Sequence, residues 1–387
     1  MKMYDVIVVG MGPAGAISAA GLGHAGMSVL GLEWKALPRY KVCGGGLSAR
    51  IDPLLDPDYR DTIEATIHTV RYQFAGAMPF QVTSADPIAY MVMRDRFDAA
   101  LVRSAQANGV EVRENERVMA IREDSEGISV KTDRGSYRGR ILVGADGANS
   151  VVRRNLFLAG RMPFMTGIEG EVYLTPRPCA FDPQSIVLDI GILKGGYAWV
   201  FPKKQNLSVG VAEFQEGGMR AKSGYTRFVK EEPSLAGLSH ASSRGHPVPI
   251  YLGVRSENAR LATGRALLVG DAAHLVDPLF GEGIYYAVLS GRMAVETITN
   301  YLRGESLDLS SYADRIAREI YPEFRVAARI AWLLYTFPRV VHRVARRRPE
   351  VLRQFYDVLK GLETYQSFYF KAKEEAADSL VSLFAPW

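Results

Sequence analysis

The sequence has few cysteines and no long hydrophobic run. Only Cys43 and Cys179 occur among 387 residues, too few for a disulfide scaffold or for the four thiolates of an iron-sulfur cluster. The longest apolar run, residues 330–337, is far shorter than the roughly 20 residues that span a bilayer. Met1 leads directly into an apolar segment without a basic leader, so we expect no secretory signal and a cytoplasmic location.

The chain also has little excess of positive charge outside one stretch. The chain has 47 basic and 42 acidic residues, a net charge of +5. Seven arginines with no acid between them exceed this surplus: Arg325, Arg329, Arg339, Arg343, Arg346, Arg347 and Arg348. We therefore expect no nucleic-acid partner. The stretch predicts peripheral contact with an anionic membrane, although a solvated or inter-subunit basic helix has the same pattern.

The first 33 residues predict a βαβ unit. Residues 4–9 form an apolar strand that leads directly into Gly10, Gly12 and Gly15 and then a helix, and a second apolar strand ends at Glu33. Glycines at this spacing let the backbone turn tightly and approach a pyrophosphate at the helix N-terminus. Glu33 is placed to accept a hydrogen bond from an adenosine ribose. The unit therefore predicts dinucleotide binding.

Two later motifs identify the dinucleotide. Asp146 and Asp271 each follow a buried strand and a glycine, and both surroundings resemble the later fingerprints of flavin-dependent hydroxylases and reductases. That resemblance implies that Asp271 holds the ribityl hydroxyls of FAD. It also implies that a helix opening at Gly283 and Ile284 points its positive end at the flavin ring. No second glycine motif with a trailing acid occurs, so we expect no separate NAD(P) domain.

Three local features indicate the branch of this superfamily. The run from Cys43 through Gly44 to Gly46 places a thiol beside three glycines, and a helix begins at Arg94. Three aromatics alternate along one strand, about 7 Å apart on one face; they are Tyr197, Trp199 and Phe201. Together these features resemble the geranylgeranyl reductase family, whose flavoproteins saturate prenyl double bonds. The resemblance covers residues 1 to about 300.

The resemblance implies specific roles for residues of this chain. FAD contacts carried over from the family fall on Ala14, Gly15, Glu33, Cys43, Gly44, Gly46, Arg94, Val118, Asp271, Gly283 and Ile284. The substrate would be a prenyl chain on a lipid, quinone or chlorophyll-type molecule, and the electron donor NADPH or reduced ferredoxin. We expect the aromatic strand to line the prenyl slot and Cys43 to act in catalysis, although both also suit simple packing. The proton donor stays open between Cys43, Tyr197 and an ordered water.

The fold class that follows is α/β in an α+β two-domain arrangement. We expect a Rossmann-type FAD-binding domain with a parallel sheet, an antiparallel-sheet substrate domain and C-terminal helices. The expected boundaries are 1–67, 94–158 and 261–300 for the FAD-binding domain, 68–93 and 159–260 for the substrate domain, and 301–387 for the helical region.

Three other functions share some of these patterns. His274, in the run Gly-Asp-Ala-Ala-His, is typical of aromatic hydroxylases and favours an NAD(P)H-dependent monooxygenase. Ile284 argues against it, because such hydroxylases usually carry asparagine there. Tyr197 and Trp199 are similar to the Trp-x-Trp strand of flavin halogenases, but the first tryptophan is missing. The third alternative is a flavoprotein that passes electrons to a quinone.

Overall fold

The computed structural model describes residues 2–157, 164–174, 181–214, 220–240 and 242–383, and Cys179 lies outside these ranges. In chain order the strands are β1 (Met3–Val9), β2 (Val29–Leu32), β3 (Gly46–Ser48), β4 (Ile63–Ile67), β5 (Thr69–Phe74), β6 (Ala77–Thr83), β7 (Ala89–Val92), β8 (Glu111–Arg113), β9 (Val118–Asp124), β10 (Gly127–Thr132), β11 (Ser136–Gly144), β12 (Phe164–Tyr173), β13 (Ser185–Ile190), β14 (Gly196–Pro202), β15 (Asn206–Glu213), β16 (Ser239–His240), β17 (Arg244–Pro249) and β18 (Ala266–Leu268). The helices are α1 (Pro13–His24), α2 (Arg94–Ala107), α3 (Val151–Leu156), α4 (Ala221–Glu231), α5 (Val254–Glu257), α6 (Ile284–Leu302), α7 (Ser310–Glu319), α8 (Tyr321–Thr336), α9 (Pro338–Arg347), α10 (Pro349–Lys360) and α11 (Tyr365–Leu383).

The N-terminal βαβ unit forms the middle of a parallel sheet. β1 pairs in parallel with β2 and β11, β2 pairs with β8, and β11 pairs with β18. The long β11 also pairs antiparallel with β10, which continues to β9. The predicted Rossmann-type sheet is confirmed. Because parallel strands end at one edge, the turns after β1, β11 and β18 come together there.

Helices α1 and α6 pack closely because small residues face each other. The Ser18 hydroxyl donates to the carbonyl of Ala14 at 2.8 Å and to that of Gly291 at 3.4 Å. A Cβ on Gly291 would lie 2.8 Å from the Ala14 carbonyl oxygen. The N-terminus of α6 is therefore held near the glycine turn.

The second sheet is the antiparallel sheet that the sequence predicts beside the FAD-binding sheet. Its order is β16-β12-β15-β14-β13-β5-β6, with β17 also paired to β12. Neighbours are antiparallel except β13 and β5, which run parallel. Residues 68–93 were expected to belong with this antiparallel sheet; β5 and β6 do join it, but for β7 that expectation is wrong. β7 pairs instead with β3 and β4, because the Val92 N–H donates to the Gly45 carbonyl at 2.9 Å and continues the ladder there.

The C-terminal region, expected to be helical over 301–387, is helical in its described part. Pro322, Pro338 and Pro349 each lie in the first turn of a helix, where a missing N–H costs no hydrogen bond. Helix α10 covers the end of the second sheet, where the hydroxyls of Tyr356 and Tyr72 are 3.1 Å apart. Within the described ranges no helix is long and apolar enough to cross a bilayer. The domain boundaries stay a prediction.

Candidate active site

One cavity of about 990 Å³ lies between the two sheets. Nearly all residues indicated by the sequence line it: Gly10, Gly12, Ala14, Glu33, Cys43, Gly44, Gly46, Arg94, Val118, Tyr197, Trp199, Phe201, Asp271, Gly283 and Ile284. Gly15 does not line the cavity. We call the wall formed by Gly10, Gly12, Glu33, Val118 and Asp271 the nucleotide part.

The glycines of the first turn have different reasons to be glycine. Gly10 has φ +92°, and a Cβ there would lie 2.5 Å from the Ala145 carbonyl oxygen. A Cβ on Gly15 would lie 1.9 Å from the Gly10 carbonyl oxygen, so Gly15 lets α1 approach the turn. A Cβ on Gly12 would meet only Arg39, at 3.6 Å. Gly12 therefore leaves open backbone facing the cavity.

Two arginines beside this turn, Arg39 and Arg94, share the buried carboxylate of Asp98. A second carboxylate, Glu33, is also buried and accepts a hydrogen bond from the Met11 N–H at 3.2 Å. Arg39 Nε lies 3.5 Å from Glu33, and Arg39 also donates to Asp98 at 3.0 Å. Arg94 donates twice to Asp98, at 2.8 and 2.9 Å. Asp98 thus fixes both guanidinium groups at the nucleotide part.

The second and third fingerprints are joined by one hydrogen bond. Asp146 accepts the N–H of Val151 at 2.5 Å and of Val152 at 3.2 Å, which caps α3. Arg153 of that helix donates to the Ala272 carbonyl at 3.2 Å. The motif after β11 therefore supports the backbone that carries Asp271.

Asp271 faces the N-terminus of α6 across the cavity wall. A Cβ on Gly283 would lie 3.4 Å from Asp271 Oδ1. Within the described part of the chain, the Asp271 carboxylate accepts no hydrogen bond from another residue. An open carboxylate, a bare glycine turn and a helix N-terminus on one wall fit the hydroxyls and phosphates of FAD. Gly12, Arg39, Glu33 and Asp271 would hold it.

The segment from Cys43 to Gly46 is fixed by a lysine that the sequence interpretation missed. Lys203 is buried, and its Nζ donates to the carbonyls of Gly44 and Val92 at 2.7 and 2.8 Å. Burial lowers the pKa of Lys203 to about 8. Gly45 has φ +68°, and a Cβ there would lie 2.1 Å from the Val92 carbonyl oxygen. Only glycine lets this loop reach both β7 and Lys203.

The aromatic strand packs directly against this loop. A Cβ on Gly44 would lie 3.0 Å from the Phe201 ring and 3.1 Å from Trp199 Nε1. The centroids of Tyr197 and Trp199 are 5.8 Å apart, and those of Trp199 and Phe201 are 5.9 Å apart. Tyr197 donates to the Phe280 carbonyl at 2.5 Å. The three rings form one wall of the cavity next to Cys43.

Beyond the aromatic strand the cavity is lined by apolar side chains. We call this wall the apolar part; it comprises Val70 and Tyr72 of β5, Ile186 and Leu188 of β13, and Phe355 and Leu359 of α10. The sequence interpretation missed all six. Since α10 is distant in sequence from β5 and β13, no local pattern brings these residues together.

A buried acid lies in the loop between Asp271 and α6. Asp277 is 1% exposed, and its Oδ1 accepts the N–H of Leu279 at 2.9 Å and of Phe280 at 2.8 Å. Its Oδ2 is buried without a hydrogen-bond partner among the described residues. Burial raises the pKa of Asp277 to about 6. Burial therefore makes Asp277 retain its proton to a higher pH than an ordinary aspartate does.

A basic edge of the same cavity also escaped the sequence interpretation. We call it the basic rim; it comprises Lys41, Arg244 and His246. Lys41 Nζ is in hydrogen-bonding contact with His246 Nε2. Arg244 stacks over the Tyr40 ring, with 4.8 Å between its guanidinium carbon and the ring centroid. Lys41, two positions before Cys43, was the available signal in the sequence.

His274 does not belong to the cavity wall. It is buried beside Phe164, with 5.7 Å between the ring centroids, and has φ +57°. Burial and the nearby Arg153 lower the pKa of His274 to about 3. A neutral, buried histidine outside the cavity gives no support to hydroxylase chemistry.

Comparison with known proteins agrees with this geometry. Residues 3–316 match the family described as FAD binding domain. The chain is 31% identical over 358 residues to digeranylgeranylglycerophospholipid reductase 1 of Methanopyrus kandleri, covering 86% of this chain and 90% of the relative. It is 31% identical over 319 residues to geranylgeranyl diphosphate reductase of Rhodobacter capsulatus, covering 79% and 78%. The chain is an FAD-dependent oxidoreductase of the geranylgeranyl reductase family.

Other proteins similar to this member of the geranylgeranyl reductase family have names that indicate different substrates. It is 31% identical over 358 residues to menaquinone reductase of Mycolicibacterium smegmatis, covering 87% and 85%. Its fold resembles a geranylgeranyl bacteriochlorophyll reductase-like protein of Thermoplasma acidophilum, with TM-score 0.75, 22% identity and coverage of 87% and 88%. A flavin-dependent brominase also reaches TM-score 0.75, at 18% identity and coverage of 97% and 100%. Likeness to these solved structures shows the fold alone.

Proposed function

We propose that this flavoprotein saturates carbon-carbon double bonds of a prenyl chain. The observation that carries the proposal is the continuity of one cavity from the nucleotide part, past the aromatic strand, to the apolar part. A prenyl chain is long and apolar and needs such a slot. The relatives named as prenyl reductases support the same reaction class.

The residues around the slot have separable tasks. The chemistry that bound, reduced FAD would supply is a hydride for one alkene carbon, and a proton would complete the reduction at the other. Tyr197, Trp199 and Phe201 hold the chain beside the loop of Cys43, and Phe355 and Leu359 exclude water behind it. Cys43 lies beside Arg94 at the junction of the two parts and is our candidate for the catalytic thiol.

The test is an anaerobic reaction of the FAD-loaded protein. Protein reduced chemically without oxygen and mixed with a geranylgeranyl compound should yield product heavier by two hydrogens per saturated bond. Mass spectrometry of the product measures reduction of the alkene, and flavin absorbance measures reoxidation of the FAD. A product with an added oxygen atom would support the monooxygenase instead. Electron transfer to quinone with no change in the alkene would support the electron carrier.

We also propose peripheral attachment to an anionic membrane through the end of α8 and α9. Five large apolar side chains are exposed there: Trp332, Leu333, Phe337, Val340 and Val344. The arginines Arg339, Arg343, Arg346 and Arg347 lie on α9, in the same region. Arg325 does not contribute, because it is paired with Glu257 at 2.6 Å. Apolar side chains among arginines suit a membrane surface with anionic lipids.

Vesicle co-sedimentation tests this attachment. The protein should pellet with vesicles that contain anionic lipid and dissociate as salt increases, because each arginine near the surface contributes about 1 kcal/mol. Phe337→Ala should weaken pelleting. Phe370→Ala, which removes an exposed ring from α11, is the matched control. Equal pelleting with neutral vesicles at high salt would contradict the electrostatic part of the proposal.

A further inference from the structure

The basic rim carries positive charge without a matching carboxylate. Within the described residues, no acid lies within 4.0 Å of the charged atoms of Lys41 or Arg244. A lysine ammonium can only donate hydrogen bonds, so His246 accepts from Lys41 through Nε2 and is neutral. The other two Lys41 hydrogens have no partner among the described residues. Among the described residues, this edge of the cavity therefore has donors available and no carboxylate in direct contact with them.

Neighbouring groups increase the need for an anion. Arg39 and Arg94 lie close enough to act on Lys41, but their own charges are already bound by Glu33 and Asp98. Burial and then the charge of Arg94 lower the pKa of Lys41, although Asp271 partly offsets them. Burial, Lys41 and Arg94 lower the pKa of His246. A bound anion would relieve this repulsion.

Arg244 is oriented for recognition. Its guanidinium stacks on Tyr40, whose hydroxyl donates to Glu169 at 2.8 Å. Glu169 accepts a second hydrogen bond from Ser208 at 3.0 Å. This contact holds the guanidinium over the ring, and no described residue accepts a hydrogen bond from it, so its N–H groups can form two hydrogen bonds to a phosphate. Arg244 is exposed, so this edge is reached from solvent.

We infer that Lys41 and Arg244 bind a phosphate or diphosphate group of a second ligand besides FAD, with His246 positioning the Lys41 ammonium. The site lies in the same cavity as the aromatic strand, so the inference deepens the proposed function and rests on it for the identity of the ligand. Two ligands supply this chemistry. One is the diphosphate of a nicotinamide dinucleotide donor, and the other is the phosphate-bearing head of a prenyl lipid.

The first experiment measures binding of inorganic pyrophosphate to the FAD-loaded protein by calorimetry. Arg244→Met should weaken binding about tenfold or more, since a hydrogen bond between charged groups is lost. Arg260→Met is the matched control, because Arg260 is exposed, donates to the Ala262 carbonyl at 2.8 Å and does not line the cavity. It should bind as the unaltered protein does.

Equal pyrophosphate affinity in all three proteins, or no binding, would overturn the inference. The inference would also be overturned if Arg244→Met lost as much affinity for FAD as for pyrophosphate. In that case the Arg244 guanidinium would bind FAD rather than a second ligand. None of these measurements depends on alkene reduction. Failure of the inference is therefore distinguishable from failure of the proposed function.

The second experiment distinguishes the two ligands and uses the same variants. If the donor supplies the phosphate, Arg244→Met should raise the KM for NADPH about tenfold and leave the preference among substrates unchanged. If the lipid head supplies it, the preference for geranylgeranyl diphosphate over geranylgeraniol should fall about tenfold with dithionite as reductant. A variant with neither change would contradict a role for the rim in either ligand.

Discussion

The nucleotide part and the apolar part of the cavity are built differently. The nucleotide part is shaped by tight backbone turns, such as the turn at Gly10 that Gly15 of α1 approaches from behind. The apolar part consists of side chains from β5, β13 and α10, which meet only in the folded chain. Backbone geometry admits almost no substitution, whereas side-chain volume can change stepwise. The first wall therefore suits an invariant cofactor, and the second a variable chain.

The largest effect should come from a methyl group on Gly15, where α1 approaches the glycine turn that supports the nucleotide part. Gly15→Ala should destabilise the apoprotein by more than about 4 kcal/mol, because its Cβ meets a carbonyl oxygen that cannot move without breaking the turn. Gly12→Ala should leave apoprotein stability nearly unchanged, since its Cβ meets only Arg39 at 3.6 Å. Denaturant unfolding of both apoproteins measures the difference. Equal stability of the two variants would remove the distinction between these glycines.

The next effect concerns Asp277, which lines the same cavity. Its folded-state pKa, about 6, is above the usual 3.8, so the native state favours the protonated acid. That stabilisation is complete below about pH 4 and is lost as pH rises through 6. Asp277→Asn stays neutral at every pH. As pH rises from 4 through 6, its free energy of unfolding should therefore increase by up to about 3 kcal/mol relative to that of the unaltered protein. Unfolding of both proteins from pH 4 to 8 tests this.

Asp86→Asn is the control for this pH series, because Asp86 is exposed and does not line the cavity. It should show no such divergence from the unaltered protein. A parallel pH dependence for Asp277→Asn and the unaltered protein would show that the Asp277 carboxylate is ionised in the native state throughout.

A smaller effect is expected from filling the apolar part. Leu359→Phe should narrow the slot and reduce kcat/KM for a geranylgeranyl chain about tenfold relative to a shorter geranyl chain, by steric exclusion. Leu352→Phe, on the same helix but outside the cavity wall, is the matched control. FAD affinity should stay constant in both. Loss of FAD binding in Leu359→Phe would show that the two parts are not independent.

The smallest effect is expected at the junction of the two parts. Cys43→Ser should retain FAD, because a hydroxyl can still accept from the Gly45 N–H as the thiol does at 3.4 Å. The rate of alkene reduction should fall severalfold if the thiol takes part. Single-turnover flavin reoxidation measures this step. An unchanged rate would assign Cys43 to packing.

The sequence predicts the nucleotide part well because its signals are local. Gly10, Gly15 and Glu33 lie within one βαβ unit, and their spacing alone determines where the turn and the acid lie. Asp271 follows its strand by a few residues in the same way. The parallel sheet, α2 and the start of α6 followed from equally local patterns.

The rest depends on contacts that are distant in sequence. Lys203 was missed because its partners, Gly44 and Val92, lie more than 100 residues away. Phe355 and Leu359 look like ordinary core positions of an amphipathic helix until α10 packs over β5. β7 does not belong to the second sheet because it forms its hydrogen bonds with β3 and β4. Apolar periodicity indicates burial but does not name the partner.

The pairing of β1, β11 and β18 also determines when the cofactor site can form during synthesis. β1 ends at Val9, and its neighbour β11 pairs with β18 through residues 266–268. A nascent chain therefore carries an unfinished parallel sheet through two thirds of its length, with exposed strand edges that favour aggregation. Asp271 and the start of α6 emerge only afterwards. Binding of the yellow flavin would then show that the last third of the chain to be synthesised has packed against the N-terminal third.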